Sequence, residues 1–482
     1  MADPVWTLGE VLSATGGRCE GDPAAPVSGF SIDSRALAAG EGFIAIRGPN
    51  RDGHDYVAKA LQSGAGCAIV EETFPGETFL AASEEDGKAD LDESRLVRVR
   101  DTFDALNDLG RKGRDRTDHA VVIAVTGSAG KTGTKEALRA ALAPSGTVHA
   151  SAKSFNNHWG VPLTLSNMRR NIDYGIFEVG MNHAGEIFVL TRLVRPHIAI
   201  VTTVAPVHLG FFASVDEIAD AKAEIFEGLE PGGTAILNRD NPHFDRLAEA
   251  ARRHGAETVG FGEDERAEVR LLECDLGADG SAVTSDILGE TIAYRLGAPG
   301  RHVVQNTLAV LAAVKLAGAD LAAAAEALGG VHAPTGRGQR FVIATGQEPV
   351  CIVDESYNAN PASMRAALQT LGLAPRSEYK RRVAVLGDML ELGQEGPRLH
   401  RELAEAVDAG GVDVVFACGA CMASLFEALP RARQGAYAKT SEDLAPALLS
   451  GVRPGDIIVV KGSLGSRMAP LVEALKRRFE DG

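Results

Sequence analysis

The densest chemistry in this chain lies in Gly127-Ser128-Ala129-Gly130-Lys131-Thr132. Glycines allow successive backbone N–H groups to turn toward an anion, and a helix beginning directly afterwards adds its positive dipole end. In such a cradle Lys131 would neutralise outer phosphates and the Thr132 hydroxyl would ligate Mg²⁺. The usual long phosphate-loop pattern wants a glycine five residues before Gly130, where this chain has Val125; what remains is the shorter G-x-x-G-K-T. Four other residues draw attention by type and place. Glu178 ends an apolar run, where a carboxylate suits magnesium and where a strand-end glutamate is equally ordinary. His208 stands in a loop, and a lone loop histidine is commonly structural. Lys222 precedes Glu224 by two positions on a helical stretch and reads alone as half of a solvated pair. Asp354 closes another apolar run before Tyr357 and Asn358-Ala359-Asn360-Pro361; an acid there can bind ribose hydroxyls, and the same residues make a good turn.

The elements that must position these groups follow from hydrophobic periodicity. Ala120–Val125 is short and apolar enough to be a buried strand, and Ala137, Leu138, Ala141 and Leu142 recur at helical spacing behind the loop. Residues 1–115 read as a small α/β domain, with strands at Phe43–Ile46 and Cys67–Val70 and a helix at Tyr56–Gln62. The acidic stretch Ser83–Glu93 reads as an exposed loop, and Arg111–Asp118 as a charged linker. Residues 116–333 alternate strands and helices, as in a mainly parallel sheet, with antiparallel alternation over Ala267–Arg295 and a helix over His302–Leu316. After the glycine-rich linker Gly329–Gly338, residues 334–482 form a third, doubly wound α/β domain. Its strands are expected at Val350–Val353, Val383–Leu386, Val412–Ala417 and Ile457–Val460, with polar strand ends lining one edge. The fold class is therefore α/β, in three domains.

Composition narrows the functions. The net charge of −16, from 49 basic and 65 acidic residues, repels polynucleotides and anionic membranes, so nucleic acid is not an expected partner. No apolar run approaches the roughly 18–20 residues of a membrane span, and Met1–Gly17 lacks the basic start and apolar core of a signal peptide. Six scattered cysteines, with Cys418 and Cys421 the one C-x-x-C, fit reduced thiols in a cytoplasmic protein better than a zinc site.

Read together, several stretches resemble the Mur ligase family over nearly the whole chain. They are Ser31–Arg35 with Asp52-Gly53-His54; Gly127–Thr132; Ser154–Leu165; Glu178–Asn182 with Gly185-Glu186-Ile187; Asp354–Pro361; and Leu386–Gly393. The last two mark the branch of the family that adds a dipeptide. The resemblance implies ATP-dependent ligation of D-alanyl-D-alanine to UDP-N-acetylmuramoyl-tripeptide through an acyl phosphate, by a monomer. A sibling ligase adding a single amino acid and a nucleotide-binding protein without ligase activity are the alternatives. Lys131, His208 and Lys222 become the implied catalytic residues. ATP would be held by Gly127, Ser128, Ala129, Gly130, Lys131, Thr132, Gly133, Asn306, Arg340 (or Arg337) and Asp354. The implied substrate contacts are Ser34, Arg35, His54, Asn157, Asn358 and Asn360. Mg²⁺ would sit on Thr132, Glu178, His208 and Lys222, the lysine carbamylated by CO₂. Departures are Gly133 in place of a second hydroxyl residue, Val207 where many members have alanine, and Leu464 after Lys461-Gly462-Ser463 where many carry arginine, with Arg467 close by.

Overall fold

The computed structural model describes residues 4–75, 91–151, 154–207, 209–346 and 348–480. Two compact units emerge: Met1–Ala124 with Gly146–Met181 and Glu186–His197, and Val125–Ser145 with Asn182–Gly185 and Ile198–Gly482. The chain first passes from one to the other inside the strand Val121–Thr126, directly before the glycine-rich loop.

In the first unit, Phe30–Ser31, Gly42–Ile44, Cys67–Glu71 and Leu96–Val99 form a parallel four-stranded sheet in that order. Ile44, Ile69 and Val97 on one face pack with Leu106 and Leu109 of the helix Thr102–Asp115. Asp101 caps that helix by accepting from Phe103 N and Asp104 N. The helix continues through most of the segment read as a linker. Gly110 and Gly113 explain why: an added Cβ at Gly113 would lie 2.2 Å from Leu165 O, so this face packs flush against the helix Gly160–Ser166. Arg114 is 2% exposed, and its guanidinium donates to Val194 O at 2.9 Å and Arg195 O at 3.0 Å. The charge run conceals a buried arginine that satisfies carbonyls. Of the acidic stretch, Ser83–Asp90 lies outside the described residues.

In the second unit, Ile198–Val201, Thr234–Asn238 and Glu257–Gly262 run parallel, and Val269–Leu276, Ser281–Ile287 and Glu290–Leu296 extend the sheet as an antiparallel meander. A second, six-stranded sheet has the order Gln339–Ile343, Val350–Glu355, Asp456–Lys461, Arg381–Gly387, Val414–Cys418, Gln434–Ala438, parallel except for its first pair. Alternate residues feed two cores: Cys351, Ala384, Leu386, Ile457 and Val459 on one face, Val350, Ile352, Val385, Ile458 and Val460 on the other. Burial on both faces is why these strands read as unbroken apolar runs. Cys418 and Cys421 are free thiols, and burial pushes Cys418 up to about 12. Among the described residues no helix is long and apolar enough to cross a membrane.

Candidate active site

The strand Val121–Thr126 delivers the chain into the loop, and the helix Lys131–Leu142 leaves it. Gly130 caps the helix in the left-handed region, at φ 84°, and Gly127 has φ 147°. Both are also sterically required. A Cβ at Gly127 would lie 1.9 Å from Thr202 Oγ1, and one at Gly130 would lie 2.6 Å from Asn306 Nδ2. The loop is pinned from outside: Ser128 N donates to Thr203 O at 2.8 Å, Ser128 Oγ to Ala205 O at 3.1 Å, and Thr202 Oγ1 to Ala129 O at 2.6 Å. Such a braced loop keeps its helix N-terminus set for an anion at little ordering cost. Lys131 Nζ donates to Gly127 O at 2.7 Å, which folds the cation over the loop. Thr132 is 5% exposed, whereas a Cβ at Gly133 would meet nothing within 4 Å.

Three further candidates of the same unit stand around this loop. Asn306, on the helix Arg301–Leu316, lies against Gly130. Asn360 donates from Nδ2 to Ser128 O at 3.2 Å. Lys222, on the helix Val215–Ala223, is 2% exposed rather than solvated, and burial together with the charge of Lys131 holds its proton affinity well below that of an ordinary lysine. Glu224, its neighbour in sequence, accepts instead from Gly185 N at 2.6 Å.

The strand ends of the six-stranded sheet place the remaining candidates. Asp354 is buried, and its Oδ1 accepts from Ser356 N at 3.0 Å and Ser356 Oγ at 2.6 Å. Lys461, also buried, donates to Glu355 Oε2 at 2.9 Å and to Asn358 O at 3.0 Å. Arg340 points to the meander, bonding to Ala278 O and, at 2.6 Å, to Asp279 Oδ1, while Arg337 lies 4.3 Å over the Tyr357 ring. Leu464 is exposed, and Arg467 adopts φ 52°.

In the first unit Glu178 is 1% exposed and its Oε1 accepts from Asn156 Nδ2 at 2.7 Å. Asn156 lies in the resembling stretch Ser154–Leu165 but was not singled out as a site residue, because nothing local points it at Glu178; its neighbour Asn157 accepts through Oδ1 from Trp159 N and Gly160 N. Ser34 is half-buried, and Arg35 pairs with Asp33 on the surface. His54 spends both ring nitrogens: Nδ1 lies 2.6 Å from Asp52 Oδ1, and Nε2 accepts from Glu71 N at 3.1 Å. His208 lies outside the described residues. Among those described, no three His, Cys, Asp or Glu side chains cluster as a metal site.

Comparison with known proteins places this geometry. Residues 26–112 match the Mur ligase family catalytic domain, residues 125–314 the Mur ligase middle domain, and residues 339–464 the Mur ligase glutamate ligase domain. The UDP-N-acetylmuramoyl-tripeptide–D-alanyl-D-alanine ligase of Escherichia coli is 33% identical over 477 residues, 98% of each chain. The enzyme of the same name from Rickettsia prowazekii is 31% identical, covering 92% of this chain and 94% of its own. A crystal structure of MurF from Acinetobacter baumannii superposes with a TM-score of 0.82 at 29% identity, over 98% of both chains. The glycine-rich loop lies inside the middle-domain match, and the three matches follow one another along the sequence without overlap. This chain belongs to the Mur ligase family.

Proposed function

We propose that this ligase joins D-alanyl-D-alanine to UDP-N-acetylmuramoyl-tripeptide at the expense of ATP, a peptide-adding step of peptidoglycan precursor synthesis, acting as a cytoplasmic monomer. The observation that carries the reading is the end-to-end correspondence with ligases of that name, on a chain whose phosphate loop is braced for a nucleotide. The division into a UDP-sugar-peptide domain (1–115), an ATP domain (116–333) and a closing domain (334–482) belongs to the same proposal.

The chemistry follows from the reactants. A carboxylate does not acylate an amine in water, because its oxygen is a poor leaving group. Transfer of the terminal phosphoryl group of ATP onto the tripeptide carboxylate gives an acyl phosphate and ADP. The dipeptide amine then attacks the acyl carbon, the tetrahedral intermediate expels phosphate, and an amide remains. Backbone N–H groups of Ala129–Thr132 and the helix N-terminus would hold the phosphates, the Ser128 N–H being spent on Thr203 O. Lys131, released from Gly127 O, would offset charge on the transferring group. Asn306, beside the loop, and Asp354, at a strand end, would make the further nucleotide contacts that the family resemblance implies.

Thr132, Glu178, His208 and a Lys222 carbamate would hold Mg²⁺, which supplies charge neutralisation at the phosphates. The surroundings of Lys222 support that assignment. Its buried amine is biased toward the free base beside the cation of Lys131, and the free base is the form that adds to CO₂, releasing a proton. The carbamate would put an anion beside the cation of Lys131.

The test is phosphate release from ATP with UDP-N-acetylmuramoyl-tripeptide, with and without D-alanyl-D-alanine. Strong stimulation by the dipeptide is expected. Stimulation by a single amino acid instead would assign a sibling activity, and nucleotide binding without acceptor-dependent release would remove the ligase reading.

A further inference from the structure

Asn360 sits at a buried junction tied by hydrogen bonds on both sides. It is the N-cap of the helix Pro361–Gly372: its Oδ1 accepts from Ser363 N at 2.9 Å, and its backbone N donates to Ser363 Oγ at 3.0 Å, closing a capping box ahead of Pro361. The other end of the same side chain, Nδ2, donates to Ser128 O in the phosphate loop at 3.2 Å. The preceding two residues are tied to the sheet. Lys461 Nζ donates to Asn358 O at 3.0 Å, and Ser463 Oγ to Ala359 O at 3.3 Å. Asn360 is 7% exposed, Lys461 2% and Ser463 6%, so water does not substitute readily for these bonds.

We infer that Asn360 is a positioning residue for the phosphate loop. In this role its oxygen holds a helix and its nitrogen the Ser128 carbonyl, in place of the acceptor contact that the family resemblance implies. Through Asn358 and Ala359 it fastens the loop to the end of the strand Asp456–Lys461. A loop whose carbonyls are held outward turns its N–H groups inward without paying to order them at binding.

The proposal rests on the ATP use proposed above, and the experiment separates the two by measuring nucleotide binding as well as turnover. Asn360→Asp keeps a good cap at the helix N-terminus but removes the N–H donor and sets a carboxylate against the Ser128 carbonyl. Asn360→Ser keeps a cap too short to reach the loop. Ser363→Ala damages the capping box without touching Ser128. Both Asn360 variants are expected to weaken ATP, in calorimetric Kd and in KM, by at least about five-fold, the worth of one ordinary hydrogen bond. The dipeptide KM should be little changed, while the urea unfolding midpoint should fall, because a buried bond is lost and Asn360→Asp also sets a carboxylate against a carbonyl. Ser363→Ala should lower the midpoint and leave the ATP constants alone. Unchanged ATP binding in both Asn360 variants, a selective rise in dipeptide KM, or equal weakening of ATP by Ser363→Ala would each overturn the inference. Wild-type protein that binds ATP without ligating would refute the activity and leave this test intact.

Discussion

Two glycines three residues apart should respond oppositely to the same substitution. Gly130 holds φ 84° at the helix N-cap, and its added Cβ would fall 2.6 Å from Asn306 Nδ2. An alanine there bears about 1–2 kcal/mol for the left-handed backbone. It must also push the Asn306 amide away from the loop, and it gains no helix propensity in return. Gly133 lies inside the helix Lys131–Leu142 with nothing within 4 Å of an added Cβ. Alanine there gains roughly 0.5–1 kcal/mol from reduced unfolded-state freedom and better propensity. Urea unfolding followed by circular dichroism, without ligand, should therefore separate the two variants by about 1.5–3 kcal/mol, with wild type between them. ATP titration should then show Gly130→Ala weakened and Gly133→Ala close to wild type. Shifts of the same sign, or Gly130→Ala with undiminished stability and ATP affinity, would refute the steric reasoning about this loop.

Other perturbations test other links. His400 is fully buried, accepting from Met389 N at 2.9 Å through Nε2 and lying 2.7 Å from Gly396 O through Nδ1, so the fold requires it neutral, and burial lowers its proton affinity. Below pH 6.5 the unfolded chain takes up a proton that the folded one refuses, so this residue costs stability with a slope of at most about 1.4 kcal/mol per pH unit; a His400→Gln variant should show a flatter denaturation profile between pH 7 and about pH 5. Arg114→Met should cost roughly 2–4 kcal/mol in urea denaturation, because it strands the buried carbonyls of Val194 and Arg195; a loss below about 0.5 kcal/mol would return the segment to the status of a linker. Lys222→Ala should lose ligation and regain part of it in acetate, and undiminished activity would remove the carbamate.

The phosphate loop was legible because its chemistry is local: two glycines, a lysine and a threonine at fixed offsets between a strand and a helix. The strands of the six-stranded sheet that are buried on both faces were legible as apolar runs. Its two edge strands, Gln339–Ile343 and Gln434–Ala438, were not, since QRFVI and QGAYA carry too much polar surface to stand out from loop sequence. Burial of single polar side chains was also hidden. Lys222 beside Glu224 looks like a solvated pair, and only the packing of its helix puts it at 2% exposure. Arg111–Asp118 looked like a linker because charge outweighs spacing in a short window; Gly110 and Gly113 were the signal of a close helix contact. The family resemblance implies Arg340 or Arg337 near the phosphates; Arg340 bonds to the turn at Ala278 and Asp279, and Arg337 lies over the Tyr357 ring. A side chain's partner across more than sixty residues is not written in its neighbourhood.

The most direct measurement uses UDP-N-acetylmuramoyl-tripeptide carrying heavy oxygen in the terminal carboxylate that accepts the dipeptide, with ATP, Mg²⁺ and D-alanyl-D-alanine, and mass spectrometry of both products. Acyl-phosphate ligation of the dipeptide should yield the pentapeptide nucleotide together with inorganic phosphate that carries one heavy oxygen from the carboxylate. Unlabelled phosphate, or failure to form the pentapeptide while a single amino acid is accepted, would contradict it.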